Sequence, residues 1–339
     1  MLILQLANSQ TRKLTNSLTL MDNPIRPFLE QQGVLILDGG LATELEARGC
    51  DLSDELWSAR LLLDAPDLIR QVHYDYLVAG ADCVISASYQ ATIAGLMGRG
   101  LTEAEAVAVL ELSVQLAQAA RDHFWGEPAH RAARLRPLVA ASVGPYGAAL
   151  ADGSEYSGNY DLSEDELFEW HRPRWHVLAQ SGADLLACET IPSYRETLAL
   201  RRLVAETPQT PVWFSFSGRD GRHVSDGTLL ADCVAAVTEI DEVVAVGVNC
   251  TAPRFIPGLI EEARAVTTKP IVVYPNSGEQ YDAVHNCWRG QSAAAEFGTY
   301  SREWRKMGAA LIGGCCRTGP AHVRQIRDRF RWSRGAEES

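Results

Sequence analysis

Eight short apolar runs recur along the chain from residue 34 onward. Within each run the hydrophobic residues are nearly continuous instead of alternating with polar ones, which is the pattern of a strand buried on both faces. Strands of this kind belong to parallel sheets that helices cover on either side. The pattern therefore predicts eight strands, at residues 34–38, 83–87, 137–144, 184–190, 212–216, 243–249, 270–274 and 309–314.

Longer amphipathic stretches separate these runs and predict helices. Three of the stretches begin at a residue that can cap a first turn rich in acids, namely Ser53, Thr102 and Ser163. Glycine ends two of them, in the matching turns VAGAD (78–82) and QSGAD (180–184). The predicted helices span residues 54–79, 102–124, 163–181, 193–206, 228–239, 254–266, 292–307 and 320–330.

The alternation of eight strands with helices predicts a single (β/α)8 barrel of the α/β class. The alternative is a doubly wound sheet, which usually carries a GxGxxG phosphate turn after its first strand. Here the first strand runs into DGGLATE (38–44), which lacks that spacing. No Pro-, Gly- or Ser-rich linker divides the chain, so we expect a disordered leader over 1–20, the barrel over 21–332 and a polar tail over 333–339.

Polar residues collect just after the predicted strands, at the end of a barrel where active sites lie. Asp38 ends the first strand and Glu189 closes the fourth, and a carboxylate at the end of a buried strand is costly unless it faces a polar rim. The loop after the third strand, residues 144–160, is too long to be a mere connection. These residues are site candidates, and anchoring of a loop through backbone N–H groups is the competing role for either carboxylate.

Three of the eight cysteines fall on this same rim, Cys250 after the sixth strand and the adjacent Cys315 and Cys316 after the eighth. Because strand ends approach one another in a closed barrel, the three thiols should converge. Three thiolates on an open rim match a catalytic zinc site with one free position, and a redox pair is the competing interpretation. Gly313 and Gly314 are expected to let the backbone turn so that both sulfurs of the pair face one ion.

Composition narrows the classes of function further. A formal net charge of −12 argues against non-specific nucleic-acid binding. The apolar runs are far shorter than the roughly 20 residues of a membrane span. In a long chain without a recognisable export signal we expect reduced thiols and a cytoplasmic location. His73, His171 and His176 lie in helical patterns and are expected in the outer layer.

The predicted metal site has a specific chemical use. Zinc held by three thiolates is a weak Lewis acid towards water and favours a soft fourth ligand, such as a thiol that it keeps as thiolate. Such a thiolate is ready for alkylation, and its attack on a methyl sulfonium cancels charge. Asp38 and Glu189 could hold a substrate ammonium group, N–H groups around Gly39 and Gly40 could receive its carboxylate, and aromatic residues of the long loop could face a sulfonium.

Several motifs together resemble the homocysteine S-methyltransferase family, in the branch that uses S-methylmethionine. GVNCTAP and LIGGCCRT carry the three cysteines, and LDGGLATELEARGC, SASYQAT, SVGPYGAALADGSEY, GADLLACET and VVYPNSGEQYDAV extend the match over residues 21–330. The resemblance implies a barrel that binds one zinc ion through Cys250, Cys315 and Cys316 and makes L-methionine from L-homocysteine. S-adenosylmethionine as donor and selenohomocysteine as acceptor are also compatible with it.

The expected partners are therefore L-homocysteine and a methyl sulfonium donor, with neither nucleic acid nor membrane, in a monomer or small homo-oligomer. The candidate residues fall into two groups, one for the amino-acid substrate and one on the loop that faces the methyl donor. The first group is Asp38, Gly39, Gly40, Glu189 and Asn249, and the second is Tyr146, Glu155 and Tyr156.

Two other classes of function compete with this interpretation. A non-catalytic thiol or metal sensor would use the three cysteines without an amino-acid pocket. A metal-assisted hydrolase generally needs His and carboxylate ligands, and the predicted barrel ends offer no His pair. Within the family, a preference for betaine or selenohomocysteine is the alternative.

Overall fold

The computed structural model describes residues 23–52, 57–132, 134–150, 152–278, 280–282, 287–289 and 294–333. The predicted leader over 1–20 and nearly all of the predicted tail lie outside these residues, as does Ser53, the predicted cap of the first long helix. Within the described part of the chain, no helix is both long and apolar enough to cross a membrane.

The strands follow the predicted runs closely. They are β1 Leu35–Ile36, β2 Cys83–Ile85, β3 Leu138–Val143, β4 Leu185–Ile191, β5 Val212–Ser217, β6 Val243–Asn249, β7 Ile271–Tyr274, β8 Gln280–Asp282, β9 Cys287–Arg289 and β10 Ala309–Ile312. Eight of them form one parallel sheet in the order β1-β10-β7-β6-β5-β4-β3-β2. A parallel bridge between Leu37 and Cys83 joins the two ends of this sheet, so the predicted (β/α)8 barrel is confirmed.

Alternate residues of most strands fill the inside of the barrel, while the others pack against the helices. On β1 and its extension, Leu35 and Leu37 belong to the interior cluster and Ile36 to the cluster beneath the helices. The interior also holds two large aromatic residues, Trp213 and Tyr274, joined by a hydrogen bond of 3.2 Å. The barrel is therefore a packed core, and ligands can bind only at its ends.

The helices surround the barrel in the expected alternation. They are α1 Arg26–Gln32, α2 Leu41–Ala47, α3 Trp57–Asp64, α4 Pro66–Ala79, α5 Ile93–Gly98, α6 Glu103–Gly126, α7 Pro128–Arg131, α8 Tyr146–Leu150, α9 Glu164–Ala179, α10 Tyr194–Glu206, α11 Leu230–Val237, α12 Ile256–Arg264, α13 Ala294–Met307 and α14 Pro320–Ser333. Short 3-10 turns cover Ser154–Tyr156 and Pro253–Phe255.

The predicted helix ends have the expected chemistry. Thr102 and Ser163 each form a complete capping box, with Glu105 and Glu166 respectively. The glycines of the two matching turns, at 80 and 182, both have positive φ, 122° and 78°. Local sequence therefore determined where these helices start and stop.

Several segments differ from the prediction. Five short helices were not predicted, namely α1, α2, α5, α7 and α8, and the last of them lies within the expected loop 144–160. The single helix predicted over 54–79 is two helices, because Pro66 lacks the N–H that would continue the preceding helix. Between β7 and α13 lie two paired antiparallel strands, β8 and β9, that were not predicted. These strands have no run of apolar residues that would distinguish them from a loop.

Candidate active site

The three cysteines meet around the end of β7. Because β7 lies between β6 and β10 in the sheet, its last residues are within reach of both neighbouring strand ends. The backbone N–H of each cysteine donates to one of three successive residues there. These bonds run from Cys250 to the Tyr274 carbonyl oxygen (3.2 Å), from Cys315 to the Pro275 carbonyl oxygen (2.8 Å) and from Cys316 to Asn276 Oδ1 (3.2 Å).

The sulfur atoms are spaced as ligands of one ion. The Sγ atoms of Cys250, Cys315 and Cys316 all lie within 4.8 Å of one another, and no other such group of His, Cys, Asp and Glu occurs among the described residues. Cys250 Sγ and Cys316 Sγ are 3.5 Å apart. Thiolates about 2.3 Å from a tetrahedral ion would be separated by about 3.8 Å, so the trio fits a metal with little adjustment.

The thiols also interact with one another and with the long loop. Hydrogen bonds from Cys250 and then Cys315 hold the pKa of the Cys316 thiol well below its usual value. The Tyr156 hydroxyl lies 3.6 Å from Cys250 Sγ. Hydrogen bonds among the thiols and burial instead raise the pKa values of Cys250 and Cys315 well above the usual value. The cluster thus favours one thiolate, at Cys316, before any ligand enters.

The glycines before the cysteine pair serve a different purpose from the one predicted. Neither Gly313 nor Gly314 has positive φ; instead, each allows close packing. A Cβ on Gly313 would lie 2.5 Å from Leu37 Cβ, and one on Gly314 would lie 2.3 Å from Thr318 Oγ1. The sharp turns fall elsewhere, at Cys250 itself with φ of 48°, and at Arg317 with φ of 63°.

A cavity of about 300 Å³ opens beside the sulfurs at the carboxyl end of the barrel. Its walls include the three cysteines and three carboxylates, those of Asp38, Glu155 and Glu189. None of the described residues that line it is Lys, Arg or His. A cavity with three acids and no basic side chain in its described wall favours ligands that carry positive charge.

Two of these acids come from the ends of barrel strands. Asp38 Oδ2 accepts a hydrogen bond from the Ile85 N–H at 2.8 Å, and Glu189 Oε1 accepts one from Ser142 Oγ at 2.5 Å. Burial raises the pKa of Asp38 well above its usual value and raises that of Glu189 to about 7. Burial thus disfavours the charged form of both groups, and an ammonium ion would restore it.

The third acid belongs to the long loop after β3. Glu155 and Tyr156 lie in its 3-10 turn and line the cavity, and burial raises the pKa of Glu155 to about 7. Tyr146, predicted to act with them, lies at the start of the loop and does not line the cavity. Its ring packs edge-on against Tyr160 and Trp170, at centroid distances of 5.1 and 5.0 Å.

Asn249, predicted as a substrate-binding residue, is fully buried and does not line the cavity either. Its Oδ1 accepts the Thr190 N–H and its Nδ2 donates to Thr190 Oγ1, both at 2.7 Å, while Ser215 Oγ donates to the same Oδ1. Thr190, which does line the cavity, has φ of 61°, a conformation rarely adopted by a β-branched residue. The Asn249 amide therefore holds the backbone beside Glu189 in place.

Gly39 and Gly40 line the cavity, but the Gly40 N–H does not donate into it as predicted. This N–H donates to the Thr318 carbonyl oxygen at 3.0 Å, because the segments that follow β1 and β10 are hydrogen-bonded to each other there. The hydroxyl of Tyr76 closes the same junction by donating to the Gly40 carbonyl oxygen at 3.0 Å. That amide is thus part of the barrel rim and is not free for a ligand.

Sequence reasoning missed several polar residues of the wall, chiefly Tyr89, Thr190 and Tyr274. Each lies at or just after a strand end, so strand position was the signal that could have found them. Tyr274 OH lies 2.5 Å from Ser215 Oγ and also bonds Glu189. From sequence alone, a tyrosine inside an apolar strand run is expected to be a packing residue, because the hydrogen-bond partner of its hydroxyl is known only from the structure.

Comparison with known proteins agrees with this geometry. The profile of the homocysteine S-methyltransferase family matches residues 35–330 of the chain. The Bacillus subtilis protein named homocysteine S-methyltransferase YbgG is 54% identical over 304 residues, which are 90% of this chain and 96% of that protein.

Two crystal structures of the homocysteine methyltransferase MmuM from Escherichia coli have the same fold. The oxidized form is 48% identical with a TM-score of 0.83, and the metallated form is 47% identical with a TM-score of 0.81. Both matches cover 91% of this chain and all of the MmuM chain. The similarity thus covers most of the chain and includes a relative that has been crystallised with metal.

Proposed function

The chain belongs to the homocysteine S-methyltransferase family and is an enzyme of that class, and we propose that it transfers a methyl group from S-methyl-L-methionine to L-homocysteine with the help of one zinc ion. The observation that carries this proposal is the trio of thiols in the wall of a cavity with three acids and no basic side chain among its described residues. Zinc would be held by Cys250, Cys315 and Cys316. When bound, it would supply a soft fourth position that stabilises the deprotonated sulfur of the substrate.

The strand-end carboxylates would hold the acceptor. Asp38 and Glu189 are buried, accept hydrogen bonds from neutral donors only within the described part of the chain, and line the cavity on the side of the barrel strands. An ammonium group placed between them would lower the pKa of both and form charge-assisted hydrogen bonds. Homocysteine would be oriented in this way, with its sulfur directed towards the three cysteines.

The number of carboxylates supports a sulfonium amino acid as the donor. Homocysteine brings one ammonium group, and S-methylmethionine brings an ammonium group and a sulfonium. Each of Asp38, Glu189 and Glu155 can therefore face one of these positive groups, while the carboxylates of the two substrates must lie away from them. Betaine brings a single positive group, so one of the three acids would face none.

The loop residues would guide the donor. Glu155 and Tyr156 lie over the thiols, so a donor that approaches the acceptor sulfur from outside passes beside them. The acceptor thiolate attacks the methyl carbon in line, a new S–CH3 bond forms, and the old one breaks with its electron pair left on the donor sulfur. The thiol proton goes to solvent, and both products are methionine.

The deciding experiment offers purified, reduced and zinc-loaded protein homocysteine with each of S-methylmethionine, S-adenosylmethionine and betaine. We expect methionine from S-methylmethionine, with smaller or no yields from the others. Methionine from betaine alone would refute the proposed donor class, and selenohomocysteine in parallel would define the preferred acceptor. A protein that binds metal but shows no zinc-dependent binding of homocysteine by calorimetry would be the thiol sensor instead.

The ligand assignment has its own test. Cys315→Ala should lose both the bound zinc and the activity, because two thiolates remain where three are needed. Cys233→Ala is the matched control, since Cys233 is fully buried on α11 and away from the cavity. Full zinc occupancy in Cys315→Ala, measured by elemental analysis, would contradict the ligand set.

A further inference from the structure

A second buried polar cluster lies behind the long loop, on the helices outside the barrel. His171 and Arg174 belong to α9 and Glu196 belongs to the first turn of α10. The exposed fractions of the three residues are 0%, 1% and 0%. None of them lines the cavity, so the proposed reaction leaves these buried ionisable groups without a role.

The hydrogen bonds of this cluster determine the state of the histidine. Arg174 Nη2 lies 2.8 Å from His171 Nδ1, and a guanidinium can only donate, so Nδ1 must be an acceptor. The ring proton is therefore on Nε2, which lies 2.7 Å from Glu196 Oε1 and donates to it. Hydrogen bonds therefore run from Arg174 to His171 and from His171 to Glu196, and we call these three side chains the relay.

Both ends of this relay hold the first turn of the loop. Arg174 Nη2 also donates to the Gly144 carbonyl oxygen, and the Tyr146 N–H donates to Glu196 Oε1 at 2.6 Å. The relay is thus hydrogen-bonded to the backbone on either side of Pro145, where the chain leaves β3. Helices α9 and α10 thereby determine the direction in which the loop starts.

The start of the loop is in turn packed against the part that reaches the cavity. A Cβ on Gly147 would lie only 2.4 Å from the Glu155 backbone nitrogen, so α8 and the 3-10 turn are in direct backbone contact. Tyr156 follows in that turn, with its hydroxyl 3.6 Å from Cys250 Sγ. A shift of the Tyr146 backbone would therefore displace Glu155 and Tyr156.

We propose that Glu196, supported by His171 and Arg174, is a positioning residue that sets the distance of the loop residues Glu155 and Tyr156 from the three thiols and so governs the fit of the methyl donor. The identity of that donor rests on the function proposed above. The relay itself is independent of it, because its contacts involve only the loop and two outer helices.

The contact with the loop requires an acceptor oxygen at Glu196, whereas the charge of Glu196 offsets that of the buried Arg174 and so bears on overall stability. The bonds from the Tyr146 N–H and from His171 Nε2 both end on Oε1, and a glutamine offers the same carbonyl oxygen in the same place. Glu196→Gln should therefore preserve the loop, whereas Glu196→Ala should release it. Glu206→Ala is the matched control, because Glu206 joins the same two helices at the surface through Arg172 and His176 without reaching the loop.

The test compares these three variants with the wild type. In Glu196→Ala we expect the KM for S-methylmethionine to rise about 10- to 100-fold, since a misplacement of about 1 Å can cost that much. Zinc content and the Kd for homocysteine should keep their wild-type values, and hydrogen–deuterium exchange of residues 144–160 should increase in the metal-free protein. Glu196→Gln and Glu206→Ala should show neither change.

Two results would overturn the relay. One is an unchanged exchange rate or donor KM in Glu196→Ala, and the other is a loss of zinc and homocysteine binding in the same proportion as donor binding. If Glu196→Ala does not fold, His171→Phe keeps a buried ring, removes both of its hydrogen bonds and should give the same pattern. A wild-type protein that makes no methionine would refute the proposed function alone, and the exchange comparison would still decide whether the relay holds the loop.

Discussion

The two ends of the barrel both bury carboxylates but treat them differently. At the amino end, Asp82 is completely buried and pairs with two arginines, Arg327 and Arg134, the latter at 3.4 Å. Its second oxygen accepts the Ile36 N–H at 3.1 Å. The chain itself thus supplies the opposite charge for this acid.

At the carboxyl end, the acids have neutral partners only. Asp38 accepts from a backbone N–H and Glu189 from hydroxyl groups, and no ion pair to either is found among the described residues. Burial disfavours the charged form of both. At this end the missing positive charge is left for a ligand to bring.

This contrast teaches how to separate stability from function in a barrel. Removing an acid that the fold neutralises is destabilising because its arginines lose a buried counter-charge, whereas an acid that the fold leaves without a counter-charge is destabilising until a ligand arrives. The substitutions below test the contrast at each end.

The largest effect is expected at the amino end. Asp82→Asn keeps the shape but leaves two arginines without their buried counter-charge, which should lower the free energy of unfolding by about 3–5 kcal/mol. Urea denaturation measures this loss, and the donor and acceptor KM of the folded fraction should not change. Asp184→Asn is the control: Asp184 pairs with Arg121 at 3.0 Å, but its side chain is 27% exposed, so its loss should be smaller. Equal losses would contradict the comparison.

At the carboxyl end we expect a substitution to weaken ligand binding and not to lower stability. Glu189→Gln keeps an acceptor for Ser142 and removes the charge, so homocysteine binding should weaken by about 10- to 100-fold, the value of one charge-assisted hydrogen bond. The free energy of unfolding should stay the same or rise, because a buried charge has been removed. Calorimetric titration and urea denaturation of the same samples give both numbers. A destabilised protein with normal homocysteine affinity would place Glu189 among the structural acids.

The smallest effect, per unit of pH, is a dependence of stability on pH. The folded chain keeps a proton on Glu189 up to about pH 7, whereas the unfolded chain loses it near the usual value of 4.5. Between these values the folded state binds more protons, so the free energy of unfolding of metal-free protein should fall as pH rises, by at most about 1.4 kcal/mol per pH unit for this group. Urea denaturation over this range should show a shallower fall in Glu189→Gln. An identical slope in both proteins would mean that Glu189 is charged throughout.

Much of the fold was predictable because the strands carry a strong local signal. The run at 243–249 became β6 with the same bounds, since a strand covered by helices on both sides must be apolar along its whole length. Pro66 signals the break between α3 and α4 in the sequence itself, whereas nothing signals the paired strands β8 and β9, because neither has an apolar run.

The candidate site was predictable where it depends on strand ends and not where it depends on packing. Cys250 and the pair at 315 and 316 converge because β6, β7 and β10 are neighbours in the sheet, which the eightfold repeat already implies. By contrast, Asn249 bonds Thr190 and does not line the cavity. Residue type and strand position alone do not distinguish a side chain that binds a ligand from one that holds a neighbouring residue in place.

Local pattern alone decided the eight strands, the ends of most predicted helices and the rim on which the chemistry lies, because each depends on residues close together in the chain. Tertiary structure decided which carboxylates are neutralised, which amides are already used and how Glu196 reaches Tyr146, since these depend on partners about 50 residues or more apart. Hydrogen bonds and ion pairs over such distances exist only after the barrel has closed. In the sequence, Asp82 and Glu189 are both acids beside or within a buried strand. Only the structure shows that arginines neutralise Asp82 and that Glu189 has no such partner among the described residues.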